Sequence, residues 1–199
     1  MKLKNILLVT AFALIATTAS PAATISATLA SIYPTSTTQG TFTGGPLSSV
    51  YSGALTFTSN SVGEFLAFCV EPEQSISIGQ TITYSVSSPN QVELAQVMAV
   101  YVASSRDALN SQGAQWAIWE LLNDSTIDLS AGNVRLASGA VKNMTQSYLN
   151  TYSSYAPLEN VLRLSSSNRQ DMIAIIPEPT VTLLGSIGLF GLIRRRRIK

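Results

Sequence analysis

The sequence has no histidine, one cysteine and little charge. Asp, Glu, Lys and Arg make up 12% of its 199 residues, about half the usual quarter. Without imidazole, Ser-His-Asp and Cys-His catalysis, paired-histidine zinc sites and histidine pH switches are excluded. Without a second thiol, Cys69 has no intramolecular disulfide partner. Positive charge is scarce in the body of the chain. Lys2 and Lys4 open the sequence, Arg194, Arg195, Arg196, Arg197 and Lys199 close it, and residues 24–176 hold five basic residues against ten acids, a net −5. That sign repels phosphate, so no nucleic-acid partner is expected. The acids are too scattered to nominate a carboxylate pair for hydrolysis. The expectation is a non-enzymatic protein with no cofactor and no metal.

What is present is Ser, Thr and Gly in quantity, with two apolar segments near the ends. Lys2 and Lys4 precede the apolar run from Ile6 to Ala16, and small residues follow through Ala23. A charged head, a short apolar core and a small-residue exit predict a secretory signal peptide over residues 1–23, cut near Ala22 or Ala23. At the other end Pro177-Glu178-Pro179 breaks regular structure, since each proline lacks an N–H and restricts its predecessor. Thr180 to Ile193 follows without a charge, then the arginines. As a helix those residues would span about 21 Å of a roughly 30 Å hydrocarbon layer. The basic tail would stay cytoplasmic.

This order of Pro177-Glu178-Pro179, short apolar helix and Arg194 to Arg197 resembles the PEP-CTERM sorting signal of Gram-negative bacteria that make exopolysaccharide. The resemblance implies export, transient anchoring in the inner membrane, recognition by an exosortase and release of the tail over residues 177–199. It describes a route to the cell surface or extracellular matrix, not an activity.

Between the ends, residues 24–176 alternate apolar and small polar residues. Strands are predicted at Thr24–Tyr33, Tyr51–Ser59, Glu64–Val70 and Thr81–Val86, with Pro34 to Ser49 as a loop. The period then becomes helical. Leu94, Val97, Met98 and Tyr101 share one face, with Asn90 and Glu93 as a capping box. A second helix is predicted from Ser111, with Gln115, Ile118, Trp119 and Leu122 on one face, and a third from Gly139 to about Tyr152. Val161–Leu164 and Met172–Ile176 read as closing strands. The expected fold is α+β: a β-rich, sandwich-like domain with a helical insertion, flanked by the signal helix and the short transmembrane helix.

Cys69 asks for an explanation, because a free thiol in an exported protein is open to oxidation. Burial as a small hydrophobe between Phe68 and Val70 is one answer. A second comes from Gln115-Trp116-Ala117-Ile118-Trp119, which resembles the Gln-x-Ala-Ile-Trp motif of bacterial surface thioester domains, with Phe68-Cys69-Val70 as the matching cysteine context. Ala114 stands where better-known members carry threonine. The resemblance centres on a core over about residues 64–124. It implies that Cys69 and Gln115 form an internal thioester, with Ala117, Ile118 and Trp119 packing behind it. A strand and a helix can hold thiol and carboxamide at reacting distance. Loss of ammonia then stores an acyl group that an amine on a partner opens, a single turnover that leaves an amide tether. Glu71 and Glu120 are the carboxylates nearest in sequence to the pair, and so the first candidates for a general base. The competing expectation is a structural or exopolysaccharide-associated module in which Cys69 and Gln115 only pack.

Overall fold

The computed structural model describes residues 23–71 and 74–177. The signal segment, Glu178 and Pro179 of the sorting motif, the apolar tail segment and the terminal arginines lie outside these residues. Among the described residues no helix is long and apolar enough to cross a membrane.

Among the described residues nine strands and three α-helices follow in the order β1 (Thr24–Tyr33), β2 (Thr37–Thr41), β3 (Ser48–Tyr51), β4 (Ala54–Ser59), β5 (Gly63–Cys69), β6 (Thr81–Ser87), α1 (Val92–Ala103), α2 (Ala108–Asn123), β7 (Arg135–Leu136), α3 (Ala140–Thr151), β8 (Val161–Ser165) and β9 (Met172–Ile175). Six strands close on themselves as β1-β4-β5-β9-β8-β6, with β6 returning antiparallel to β1 from Thr24↔Ser85 to Thr28↔Thr81. The mixed helix and strand content, with a β-rich core, is as expected. The sandwich is not: the sheet is a barrel, and closure leaves it no free edge.

Alternation explains the barrel interior. Ile25, Ala27 and Leu29 of β1 and Ile82 and Tyr84 of β6 point inward, while Ser26, Thr28, Thr81 and Thr83 face out. Alanines 27, 67 and 174 lie among Phe57, Phe65 and Tyr84, a small-and-large mixture that fills a narrow six-stranded interior without strain. β5 and β9 depart from alternation. Their outer residues, Phe68 and Ile173, enter a second core shared with the helices. Both strands are therefore covered on both faces and read as continuous apolar runs.

The helices fill that second core. α1 buries Leu94, Val97, Met98 and Tyr101 on the predicted face. Its cap differs: Gln91 is the N-cap and makes no side-chain capping bond, so the Asn90–Glu93 box does not form. α2 begins one turn earlier than Ser111, because the Asp107 side chain accepts the Asn110 N–H at 2.9 Å and caps the helix there. Its one-faced amphipathic reading is also corrected. Ser111 through Glu120 are all buried, since α1, α3, the barrel wall and a small sheet surround the helix. Polar residues survive inside only because they are bonded. Ser111 pairs with the Tyr101 hydroxyl at 3.0 Å, and Gln112 donates to Thr38 at 2.9 Å.

The small sheet, in order β3-β2-β7, replaces the predicted loop at residues 34–49. Its strands are short and polar, and they form because α2 covers them. Gly40 of β2 lies so close to the Trp116 ring that a Cβ there would have no room. The Trp116 indole N–H donates to Ser52 at 3.1 Å, just beyond β3.

Candidate functional site

Cys69 is the last residue of β5, and what lies beside it is set by where β4 begins. Leu55 pairs with Ala67, so continuing the ladder would set Gly53 opposite Cys69. β4 starts only at Ala54. Gly53 has φ +153° and is pressed against the Tyr33 carbonyl, a turn away from the sheet that a side chain would block. On its other flank β5 remains paired, with Val70 N–H donating to the Asp171 carbonyl at 2.9 Å. By alternation, Cys69 points its own N–H and C=O to the side that β4 has vacated.

The Gln115 carboxamide occupies that vacancy. Cys69 N–H donates to Gln115 Oε1 at 2.9 Å, and Gln115 Nε2 donates to the Cys69 carbonyl at 2.8 Å. A primary amide offers the same donor and acceptor as a peptide group, so Gln115 completes the ladder from a helix. Both bonds are part-buried, and Gln115 itself has no exposed surface. Truncating the side chain would leave two partly buried backbone groups without partners, at up to roughly 1–3 kcal/mol each.

The structure thus brings the two predicted residues together, across the 46 positions that separate them. The amide plane is fixed against the residue that carries the thiol. Cys69 N–H already points at Oε1, where negative charge would collect if sulfur attacked the amide carbon. Burial pushes the Cys69 thiol up to about 12, so the resting group is S–H and not the more nucleophilic thiolate.

A cleft of about 430 Å³ opens at this seam. Cys69 and Gln115 line it with Phe42, Tyr51, Ser52 and Trp119. Trp119 makes an edge contact with Trp116 at 4.9 Å and a tilted one with Phe42 at 5.6 Å. Ala117 and Ile118 are fully buried behind them. Cys69 itself is half-buried and lines the cleft.

The two sequence-adjacent carboxylates do not join the pair. Glu71 accepts from the Gln74 side chain at 2.9 Å, and its carbonyl accepts from Gln170. Glu120 is five positions beyond Gln115, about 140° further round the helix. Its Oε1 accepts the Asp128 N–H at 2.7 Å. Among the described residues neither carboxylate is hydrogen-bonded to Cys69 or Gln115, and no group of three or more His, Cys, Asp or Glu is placed to hold a metal ion. Sequence reasoning missed Phe42, inside the predicted loop, and Tyr51, the first residue of a predicted strand, as lining residues. Only a pairing signal for β2 and β3 would have found them.

Comparison with known proteins returns no matching protein family, no matching curated protein and no matching solved structure.

Proposed function

We propose that this chain is an exported surface or matrix protein that tethers itself covalently through a Cys69–Gln115 thioester. In this reading the signal segment directs export, and the Pro177-Glu178-Pro179 tail is handed to an exosortase at the inner membrane. The observation that carries the chemistry is the pair of hydrogen bonds between the Gln115 carboxamide and the Cys69 backbone. They hold the Gln115 carboxamide against the backbone of the residue that carries the thiol, at the edge of a cleft, which supports this reading.

The balanced sequence is short. Sulfur adds to the Gln115 carbonyl carbon while Cys69 N–H steadies the oxygen. The C–N bond breaks, the thiol proton leaves with the nitrogen as ammonia, and a C–S bond remains. An amine on a partner then adds to the same carbon and sulfur leaves. The products are a substituted amide at residue 115 and a free Cys69 thiol. The protein turns over once.

Intact mass tests this directly. Protein recovered from its host should be lighter than its processed sequence by one ammonia, and should regain mass on treatment with methylamine while exposing a thiol. A mass equal to that of the processed sequence, with the thiol labelling at once in native protein, would refute the thioester. The alternative then stands: Gln115 serves only as a ladder substitute in a structural module at the cell surface or in exopolysaccharide. The absence of a β4 partner for Cys69 favours that second reading if the bond does not form.

A further inference from the structure

The closed barrel has no free edge, whereas the small sheet ends on β7 and β3. At β7 the outer edge is engaged, since Leu136 N–H donates to the Leu129 carbonyl at 3.0 Å. At β3, among the described residues, no strand pairs on the side away from β2. Sheet edges are ordinarily blunted with lysine or proline. β3 reads Ser48-Ser49-Val50-Tyr51, with neither, and Tyr51 is 68% exposed.

Register decides which backbone groups this edge presents. The Gln39 carbonyl accepts the Ala137 N–H at 3.0 Å, so the polar backbone groups of Gln39 point toward β7 and away from β3. Gln39 lies opposite Ser49. That pair is therefore not hydrogen-bonded, and the N–H and C=O of Ser49, with those of Tyr51 two residues on, point outward from the sheet. Ser48 through Tyr51 all line the cleft that Cys69 and Gln115 share. Successive side chains leave a strand on opposite faces, so four residues in a row border one cleft along the strand's edge. Two donors and two acceptors in ladder spacing thus face the cleft. Beyond Tyr51 the lining continues through Ser52 to Gly53, the residue that turns aside where β4 would have met Cys69.

We infer that β3 is a docking strand and that its occupant is an extended peptide segment of a partner protein. An extended backbone repeats its N–H and C=O on one side about every 6.8 Å, the interval between Ser49 and Tyr51, and a saccharide has no such repeat. Among the described residues no Asp, Glu, Lys or Arg lines the cleft, so recognition falls to main-chain pairing and to side-chain contact with Phe42, Tyr51 and Trp119. Covalent capture rests on the acyl-transfer reading above. An amine carried on the docked segment bonds to the Gln115 carbon, the C–S bond breaks, and sulfur takes the electron pair and the proton that the amine gives up. Docking itself needs no thioester.

A phage-displayed library of random heptapeptides with a fixed central lysine, panned on the full chain carrying Cys69→Ala, reads docking alone. Enriched peptides should be rich in β-branched and aromatic residues and poor in proline. A synthetic copy of one should bind Ser49→Pro about tenfold more weakly than Ser49→Ala, the worth of one backbone hydrogen bond. Both variants lose the exposed bond from the Gln39 side chain to the Ser49 hydroxyl, so their difference reads the outward N–H. N-methylation of the peptide at alternate residues should weaken binding, and at the residues between should not, which needs no folded variant. No enrichment, equal affinity for the two Ser49 variants, or N-methylation without alternation overturns docking on β3. So does a chitosan oligosaccharide that displaces the peptide from Ser49→Ala and Ser49→Pro alike. A parent that never loses ammonia overturns the thioester alone, because the Cys69→Ala arm does not depend on it.

Discussion

Glu120 should make the protein less stable as pH rises from mildly acid to neutral, and replacing it with glutamine should abolish that slope. Its carboxyl is 1% exposed, with Oε1 bonded to Asp128 N–H and Oε2 without a partner. Burial raises it from an ordinary 4.5 to about 7, opposed by the Asp128 N–H and assisted by charge on Asp124 and Asp128. The sign follows from proton binding. Between pH 4.5 and 7 the folded chain still holds a proton that the unfolded chain has released. The stabilisation is therefore complete below the unfolded value and is lost as pH climbs through the folded one. At about 1.4 kcal/mol per unit of pKa, the full loss is about 3 kcal/mol. Asp107, lowered by its bonds to Asn110 and Ser105, acts below its ordinary 3.8 and with the opposite sign, outside this window.

Glu120→Gln retains a carbonyl for the Asp128 N–H and sets an NH2 where Oε2 had no partner. Whatever that NH2 costs is independent of pH, so it cancels when stabilities at two pH values are compared. Urea unfolding at pH 4.5, 6 and 8 should show the variant gaining about 3 kcal/mol on the parent across the series. Parallel stability profiles for the two proteins would refute the assignment of a raised carboxyl to Glu120.

The remaining predictions concern the seam. Gln115→Ala should lower stability by about 3 kcal/mol in urea unfolding, because two partly buried backbone groups of Cys69 lose their partners. Cys69→Ala keeps both bonds, which run to backbone; it should cost no more than about 1 kcal/mol while abolishing ammonia loss in the intact mass. Gly53→Ala should destabilise by more than about 1 kcal/mol in the same assay, since a Cβ at φ +153° meets the Tyr33 carbonyl.

Most of the strand content was legible because it alternates. β1 and β6 bury every second residue, and β5 and β9 read as unbroken apolar runs because they are covered twice. The barrel was not legible, since closure depends on Thr24 meeting Ser85 and Ser85 meeting Ser165, pairings that no local period encodes. The sequence predicts a loop from Pro34 to Ser49, over β2 and the first half of β3, because Ser, Thr and Gly are turn formers on a solvated chain. Here Trp116 and Gln112 supply the cover that makes short polar strands hold. The α2 helix was read as one-faced because its polar residues, Ser111, Gln112, Gln115 and Glu120, look solvated in sequence. Each is buried against a bonding partner donated by a different element. The meeting of Cys69 with Gln115 is expected from the sequence only through motif resemblance.

The seam also explains why one residue can support both readings of its purpose. Gln115 mends a gap in the ladder that Gly53 creates, and its primary amide offers a matched donor and acceptor to one backbone residue. That same matching fixes the amide plane against the backbone of the residue that carries the thiol and turns the Cys69 N–H toward the amide oxygen. The hydrogen bonds that hold the fold are thus the ones the proposed thioester builds on. Forming the bond would keep the Cys69 N–H partner, because the acyl oxygen remains, and would release only the donor at the carbonyl. The covalent link then takes over the work of that lost donor. Closure of the thioester is therefore expected to leave the strand–helix junction as stable as before, and opening by an amine restores an N–H to the Cys69 carbonyl. In urea unfolding the closed form should exceed the methylamine-opened form by about 4 kcal/mol, the unfolded-state entropy that a cross-link over 46 residues removes, and a much larger difference would show that the junction itself loosens on opening and that the amide and the acyl group do not share one geometry.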